Sequence, residues 1–406
     1  MPTAAPIRRR RQTVVRKKPS LDFSVTGLVY CTMMMFLGLA AVNSQANLLF
    51  GVFGLMIGLL LISGVISKRV LSGLTVRRQL PEHGCVGCRM AIQYHIHNRK
   101  RFWPSLSVTF AELDGAEAFT RQPQAYLMHV APRTTAIAPT EVMPKRRGLH
   151  YFDRFQIITS FPFGFIKRAV QRAERDNVLI FPAVGQVDQK VIQMCRSAET
   201  TGAMMRPRRG GMDEFYGVKE YRSGENPRWI YWRRSARTGT LVTKEMTHVS
   251  PPRMLLLVDT YIAGERTLES HAAVERTIAM AASLASEALE QGLPIGVVAY
   301  SSDGWVHIPA TRGKRHRLDV LTLLARLPLN TSHDQRQLLD EGYRHLKSGT
   351  TSVLLTPSDL RLNLGEAVKG SVVVLSPASQ AMQSLFQFDP RVDFTLCMPV
   401  DQQVEG

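Results

Sequence analysis

Acids are almost missing from the start of this chain: through residue 78, Asp22 stands alone against eleven lysines and arginines. That stretch holds a net +10 of the formal +18, so more than half of the basic excess sits in one short region. A high pI of this origin is no argument for nucleic acid, and none is expected as a partner. Cysteine is also scarce, with five scattered residues, an odd set that excludes a disulfide framework and suits a reducing compartment. Catalytic signatures are missing as well. There is no GxxxxGK[ST] to cradle phosphate, no GxSxG elbow, no HExxH, and no cysteine and histidine arranged as a nucleophile and its base. Cys195 lies beside Arg196, a setting that lowers a thiol pKa, but the plainer reading is a chance surface thiol. The expectation is a protein without catalytic activity or cofactor.

What is present begins with two long apolar runs. Residues 8–18, RRRRQTVVRKK, form a basic head (1–22) before the uncharged run Phe23–Val42, and Leu48–Ile66 follows after a short polar link. Each run is roughly 20 residues, enough to cross about 30 Å of hydrocarbon as a helix. Residues 23–67 therefore read as a transmembrane hairpin in a lipid bilayer. Seven basic residues precede the first run, Lys68, Arg69, Arg77 and Arg78 follow the second, and the turn between has none. The positive-inside rule then places both ends in the cytoplasm, with the hairpin in a bacterial inner membrane. A signal peptide cut near Ala46 is the rival reading, from the small residues Ser44 and Ala46. It too leaves the body inside.

Residues 75–185 change to short alternating runs, with Met90, Ile92, Tyr94 and Ile96 on one face of a strand and Leu106, Val108 and Phe110 continuing the pattern. This predicts a small antiparallel β domain of sandwich type. Cys85 and Cys88 have the spacing of a zinc knuckle, with His83, His95 and His97 nearby, but a single CxxC is a weak signal and no metal is expected. Residues 186–211 read as a mobile basic linker in which DQKVIQMCRS could form a short helix.

Residues 212–250 hold a charged aromatic hub. Glu214 to Glu245 contains five arginines, two tryptophans and three tyrosines with no long apolar run. Guanidinium and carboxylate groups are costly to bury unpaired, so these charges must pair, stay wet or meet a partner. SGENP is a turn by composition, with Gly224 free to take positive φ. Arg222, Arg228 and Arg237 offer planar forks to Glu214, Glu220 and Glu225, and Trp229 and Trp232 can cover guanidinium faces. Two readings stand side by side: an ion-pair network that locks loops together, and a docking surface for an acidic partner.

Residues 251–406 alternate strand and helix. RMLLLVD is a buried strand ending in Asp259, a helix spans Leu268 to Gln291, and LPIGVVAYS, TSVLLTP, SVVVLSP and DFTLCMP read as strands among two further helices. The pattern predicts an α/β fold, a doubly wound sheet with helices on both faces. Ligands of such sheets sit at strand C-terminal ends, which makes Asp259, Thr260 and Asp303 the weak candidates for a metal.

The hub resembles the motif of the YeaD-related DUF-58 family of bacterial membrane proteins. Glu214, Phe215, Glu220, Tyr221, Gly224, Arg228, Ile230, Trp232, Ser235, Ala236 and Arg237 match it, with Lys219 in place of the usual Arg and Glu225 in place of Asp. RGLHYF and FPFGF resemble an earlier strand and turn of the family, with Phe161 where an acid is usual. The resemblance implies a von Willebrand factor type A-like C-terminal domain. In metal-binding members of that wider fold the first acid opens an Asp-x-Ser-x-Ser loop, and here both serines are missing after Asp259. It also implies a partner, a MoxR-type AAA+ ATPase, and an adaptor role in the maturation or assembly of other, unnamed client proteins. The alternatives are an anionic-lipid or nucleic-acid binder using the basic head and linker, and a cryptic hydrolase.

Overall fold

The computed structural model describes residues 20–202, 214–223, 225–247, 253–262, 264, 267–346, 350–358 and 372–397. They fall into two compact units, one within Met1–Phe181 and Arg391–Gly406, the other within Pro182–Pro390. The expected head lies outside the described residues except for its end, where Asp22 sits in a strand.

The first unit contains, in order, β1 (Ser20–Phe23), α1 (Val25–Ser44), α2 (Asn47–Leu71), β2 (Leu74–Gln79), β3 (His83–Cys85), β4 (Met90–Asn98), β5 (Ser105–Glu112), β6 (Gln124–Val130), β7 (Thr135–Val142), β8 (Gly148–Thr159) and β9 (Ile166–Phe181). Both helices are long and apolar enough to cross a membrane. Gly27 of α1 lies so close to the Phe165 carbonyl that any Cβ would collide with it, and Tyr30 stacks on the Phe165 ring at 4.0 Å. Lys100 Nζ donates to the Arg69 and Val70 carbonyls at 3.0 and 2.8 Å, satisfying the last turn of α2.

The strands form a three-stranded sheet, β2-β4-β7, and a larger sheet, β1-β9-β8-β5-β6, with β3 parallel to β9. Tyr94 of the small sheet packs on Phe110 and Phe155 of the large one, at 5.4 and 6.0 Å between centroids, so the two sheets face each other as the alternation predicts. The described residues of the run DFTLCMP, 393–397, form no strand. Phe394–Leu396 is a single 3-10 turn, and the Cys397 carbonyl accepts from the Arg147 N–H of this first unit. The α/β unit therefore stops at Pro390, short of the expected 406.

The second unit contains β10 (Gln186–Val187), α3 (Gln189–Gly202), β11 (Glu214–Glu220), α4 (Trp232–Thr238), β12 (Val242–Thr247), β13 (Arg253–Val258), α5 (Leu268–Glu290), β14 (Ile295–Ser301), β15 (Gly304–Thr311), α6 (Lys314–Arg326), α7 (Gln335–His345), β16 (Thr350–Leu355), β17 (Val372–Leu375), α8 (Gln380–Leu385) and β18 (Phe386–Gln387). Its main sheet runs β15-β14-β13-β16-β17, with all neighbours parallel except the β15 edge. Leu255, Leu257, Val298 and Leu354 join Leu338 and Leu339 of α7 in one cluster. The alternate residues Met254, Leu256 and Val258 are equally buried, as a strand covered on both faces requires.

The expected linker is largely structured. Val191, Ile192 and Cys195 recur at helical spacing and bury one face of α3, which packs on β16, while β10 pairs with β18. Its later residues, 203–211, lie outside the described ones.

Candidate functional site

The hub is a β-hairpin, β11 with β12, closed by a long crossing segment. Lys219 faces Thr243 and Glu220 faces Val242 in register. The Tyr221 N–H donates to the Leu241 carbonyl at 2.8 Å, and its hydroxyl donates to the Glu225 carbonyl at 3.2 Å. Pro227–Trp229 makes a 3-10 turn whose Asn226 cap accepts from the Arg228 N–H. Ser235 then ties α4 to β12 by accepting from the Val242 N–H at 2.9 Å. Its hydroxyl also donates to the Tyr231 carbonyl at the start of α4 at 3.1 Å, and Gly239 ends the helix in the left-handed region at φ 74°.

The charges arrange themselves differently from the expected network. Glu225 takes Lys219, at 2.6 Å, and not an arginine, and that ammonium holds its carboxyl below the usual range. Arg222, Arg228 and Arg237 form no ion pair among the described residues, and all are exposed, as are Arg233, Arg234 and Glu220. Trp232 is 64% exposed, and the ring lying under a cation is Tyr231, 5.0 Å from Lys244 Nζ. The Glu214 side chain and Gly224 lie outside the described residues. What results is a hydrogen-bonded backbone that leaves five guanidiniums and an indole in water.

A second polar centre lies where the strand order reverses, at the C-terminal ends of β13 and β16. The Asp259 carboxylate is buried and accepts from the Tyr261 N–H at 2.9 Å and from Thr356 Oγ1 at 3.0 Å; burial pushes its pKa up to about 6. Thr260 is buried beside it with a hydroxyl that meets no partner, and Ser358 Oγ lies 3.3 Å from Thr356 Oγ1. Asp303 is exposed in the turn between β14 and β15. Magnesium asks for near-octahedral oxygen ligation. One carboxylate already engaged twice, with Tyr261 in the loop after it, does not fit that demand, and among the described residues no three His, Cys, Asp or Glu converge.

The histidines near Cys85 and Cys88 go separate ways. His83 packs on Phe181, His95 bonds Gln79 at 2.8 Å and His97 bonds Thr135 at 3.0 Å, while the Cys88 N–H donates to the Cys85 carbonyl in a turn. Cys195 is buried, not a surface thiol, and burial raises its pKa to about 11, opposite to the direction that Arg196 suggests.

One cluster escaped the sequence reading. Arg78 Nη1 donates to Glu112 at 2.7 Å, Tyr94 donates to the other Glu112 oxygen at 2.7 Å, and Arg78 Nη2 donates to the Phe152 and Glu174 carbonyls. The available signal was period two, since Leu74, Val76 and Arg78 share a face of β2.

Two apolar helices, a β unit of two facing sheets and a mixed α/β unit carrying an exposed cationic hairpin define the class: a mixed α/β protein equipped with helices that could cross a membrane. Within it, residues 217–360, from the hub into the main sheet, match the family described as "Protein of unknown function DUF58". No curated protein matches the chain. Among solved structures, the CARDB domain of a Pyrococcus furiosus protein aligns at 10% identity over 27% of this chain and 94% of that one, with a TM-score of 0.18. The Pseudomonas fluorescens alkylpurine DNA glycosylase AlkC, bound to DNA containing an abasic-site analogue, aligns at 11% identity over 34% and 41%, with a TM-score of 0.17. Likenesses at that level say nothing about the fold.

Proposed function

We propose that this is a membrane-anchored, two-pass protein of the bacterial inner membrane, with a cytoplasmic body that docks acidic protein surfaces through its hub. The observation that carries the reading is the exposure of Arg222, Arg228, Arg233, Arg234, Arg237 and Trp232 on a hairpin whose backbone is tied internally. Arginine and tryptophan are the side chains that most often dominate binding energy at protein interfaces, and a fixed backbone lowers the entropy lost on docking. The strand order, with one antiparallel edge and a reversal at β13, supports a von Willebrand factor type A-like reading of the sheet unit. The partner we assign is a MoxR-type AAA+ ATPase, with this chain as its adaptor and without catalysis of its own.

A pull-down of the full chain in mild detergent with ATP present tests this. Recovery of the ATPase by the native chain and its loss with Arg228→Glu/Arg237→Glu is expected. No recovery from the native chain overturns it. A reporter fused at the C terminus checks orientation, because a periplasmic body excludes every cytoplasmic ATPase.

A further inference from the structure

The strongest unassigned feature lies where α2 ends. After Leu71 the chain turns at Gly73, in the left-handed region at φ 68°, and enters β2; the Arg99 N–H donates to the Gly73 carbonyl at 2.9 Å. Between β2, β9 and the start of the β4–β5 loop lies an open cavity of about 520 Å³, lined by Arg77, Arg99, Arg172 and Glu174 among others. Three arginines and one glutamate thus border it. Arg172 Nη2 is anchored on the Leu74 carbonyl at 3.2 Å. Arg77 and Arg99 are exposed, and their guanidiniums make no ion pair or side-chain hydrogen bond among the described residues. Glu174 is half-buried and lies toward Arg78, whose N–H approaches it at 3.5 Å.

A helix C-terminus repels anions, so its carbonyls must be neutralised before an anion can sit nearby. Lys100 and Ser105 do this, with Ser105 Oγ donating to the Val70 carbonyl at 2.8 Å beside the two Lys100 bonds. The lysine is thus consumed by the helix end, while Arg77 and Arg99 stay exposed at the cavity.

The surroundings give the anion's source. Phe102 and Trp103 follow Arg99 in the same loop and are 77% and 48% exposed, and Arg69 of the last α2 turn lies over the Trp103 ring at 5.5 Å. Aromatic and basic side chains at the end of an apolar helix mark the headgroup level of a bilayer. Leu61, Ile62 and Val65 of α2 are exposed, offering an apolar track for acyl chains. Arginine forks match phosphate oxygens in pairs.

We propose that this cavity is a headgroup site for an anionic phospholipid, its phosphate held by Arg77, Arg99 and Arg172. The proposal rests on reading α1 and α2 as membrane spans.

Native mass spectrometry of the full chain in mild detergent tests it, with phosphatidylglycerol, phosphatidylcholine and inorganic phosphate each titrated. Retention of phosphatidylglycerol over phosphatidylcholine is expected, with Arg77→Gln/Arg99→Gln weakening it about 30-fold and Arg121→Gln/Arg175→Gln leaving it unchanged. Inorganic phosphate at millimolar concentration should not displace the lipid. Should the double variant melt early, the loop variant Arg99→Gln carries the test, with a loss of about fivefold. Equal retention by native and variant chains, no preference between the two lipids, or displacement by free phosphate each overturns the site. Carbonate extraction of membranes separates the two readings. A chain that resists carbonate but shows no headgroup preference refutes the pocket alone, whereas a chain released by carbonate refutes the anchor and the pocket together.

Discussion

Arg78 and Glu112 meet at 2.7 Å with both side chains sealed from solvent, in the space between two β-sheets. Tyr94 holds the second carboxylate oxygen, and the Phe152 and Phe155 rings lie 5.3 and 5.7 Å from the guanidinium carbon. Breaking such a pair from one side strands the other charge in a low-dielectric interior, which costs about 3–5 kcal/mol. Arg78→Met and Glu112→Leu alone should each lower the unfolding free energy by that amount in urea titrations. The double variant should recover part of the loss, since no charge is then stranded in the sealed interior and Asp176, the other partner of Arg78 at 3.2 Å, is partly exposed to water. A double variant that loses the sum of the singles contradicts this.

The buried carboxylate Asp259 carries a pH dependence. Its pKa rises from an ordinary 3.8 to about 6 because burial disfavours the charge. The folded state therefore binds the proton more tightly than the unfolded one. The associated stability is fully present below pH 3.8 and is lost as pH rises through about 6. About 3 kcal/mol is at stake across that window. Asp259→Asn should gain on the native chain by up to this amount between pH 4 and pH 7.5 in urea unfolding, and a difference that is flat with pH contradicts it.

Cys195 should behave as a core residue. Its thiol is buried in α3 and pushed up to about 11, whereas Cys88 is exposed. Iodoacetamide at pH 8 should label Cys88 within minutes and reach Cys195 only after denaturation, as mapped by peptide mass. Early labelling of Cys195 would show that α3 is not docked on β16.

In the hub, Ser235→Ala removes the hydroxyl that accepts from the Val242 N–H of β12 and donates to the Tyr231 carbonyl at the start of α4, a loss of about 1–3 kcal/mol. Trypsin should then cut among Arg233, Arg234 and Arg237 at concentrations that leave the native hairpin intact. Arg228→Glu/Arg237→Glu should not become trypsin-sensitive at the remaining arginines, because neither side chain holds the backbone.

The division between sequence and structure follows the range of each interaction. Apolar run length determined α1 and α2, period two determined β4 and β5, and alternation of buried strands with amphipathic helices determined the α/β class, all local patterns that repeat within a few residues. The family match over residues 217–360 was legible in the same way, because most of the hub motif is a contiguous string inside it. Pairings between distant residues were settled by tertiary contact. Glu225, in the segment that crosses from β11 to α4, pairs with Lys219 at 2.6 Å and not with a neighbouring arginine, because the turn after β11 folds it back over that strand. DFTLCMP looked like a strand by composition, yet Cys397 bonds Arg147 of the β unit and leaves the sheet ending at β17. Cys195 took its pKa from burial and not from the adjacent arginine, since desolvation depends on what packs over the thiol. Arg77, Arg99 and Arg172 are separated by many residues, and only the folding of β2, the β4–β5 loop and β9 around one cavity makes them a candidate site.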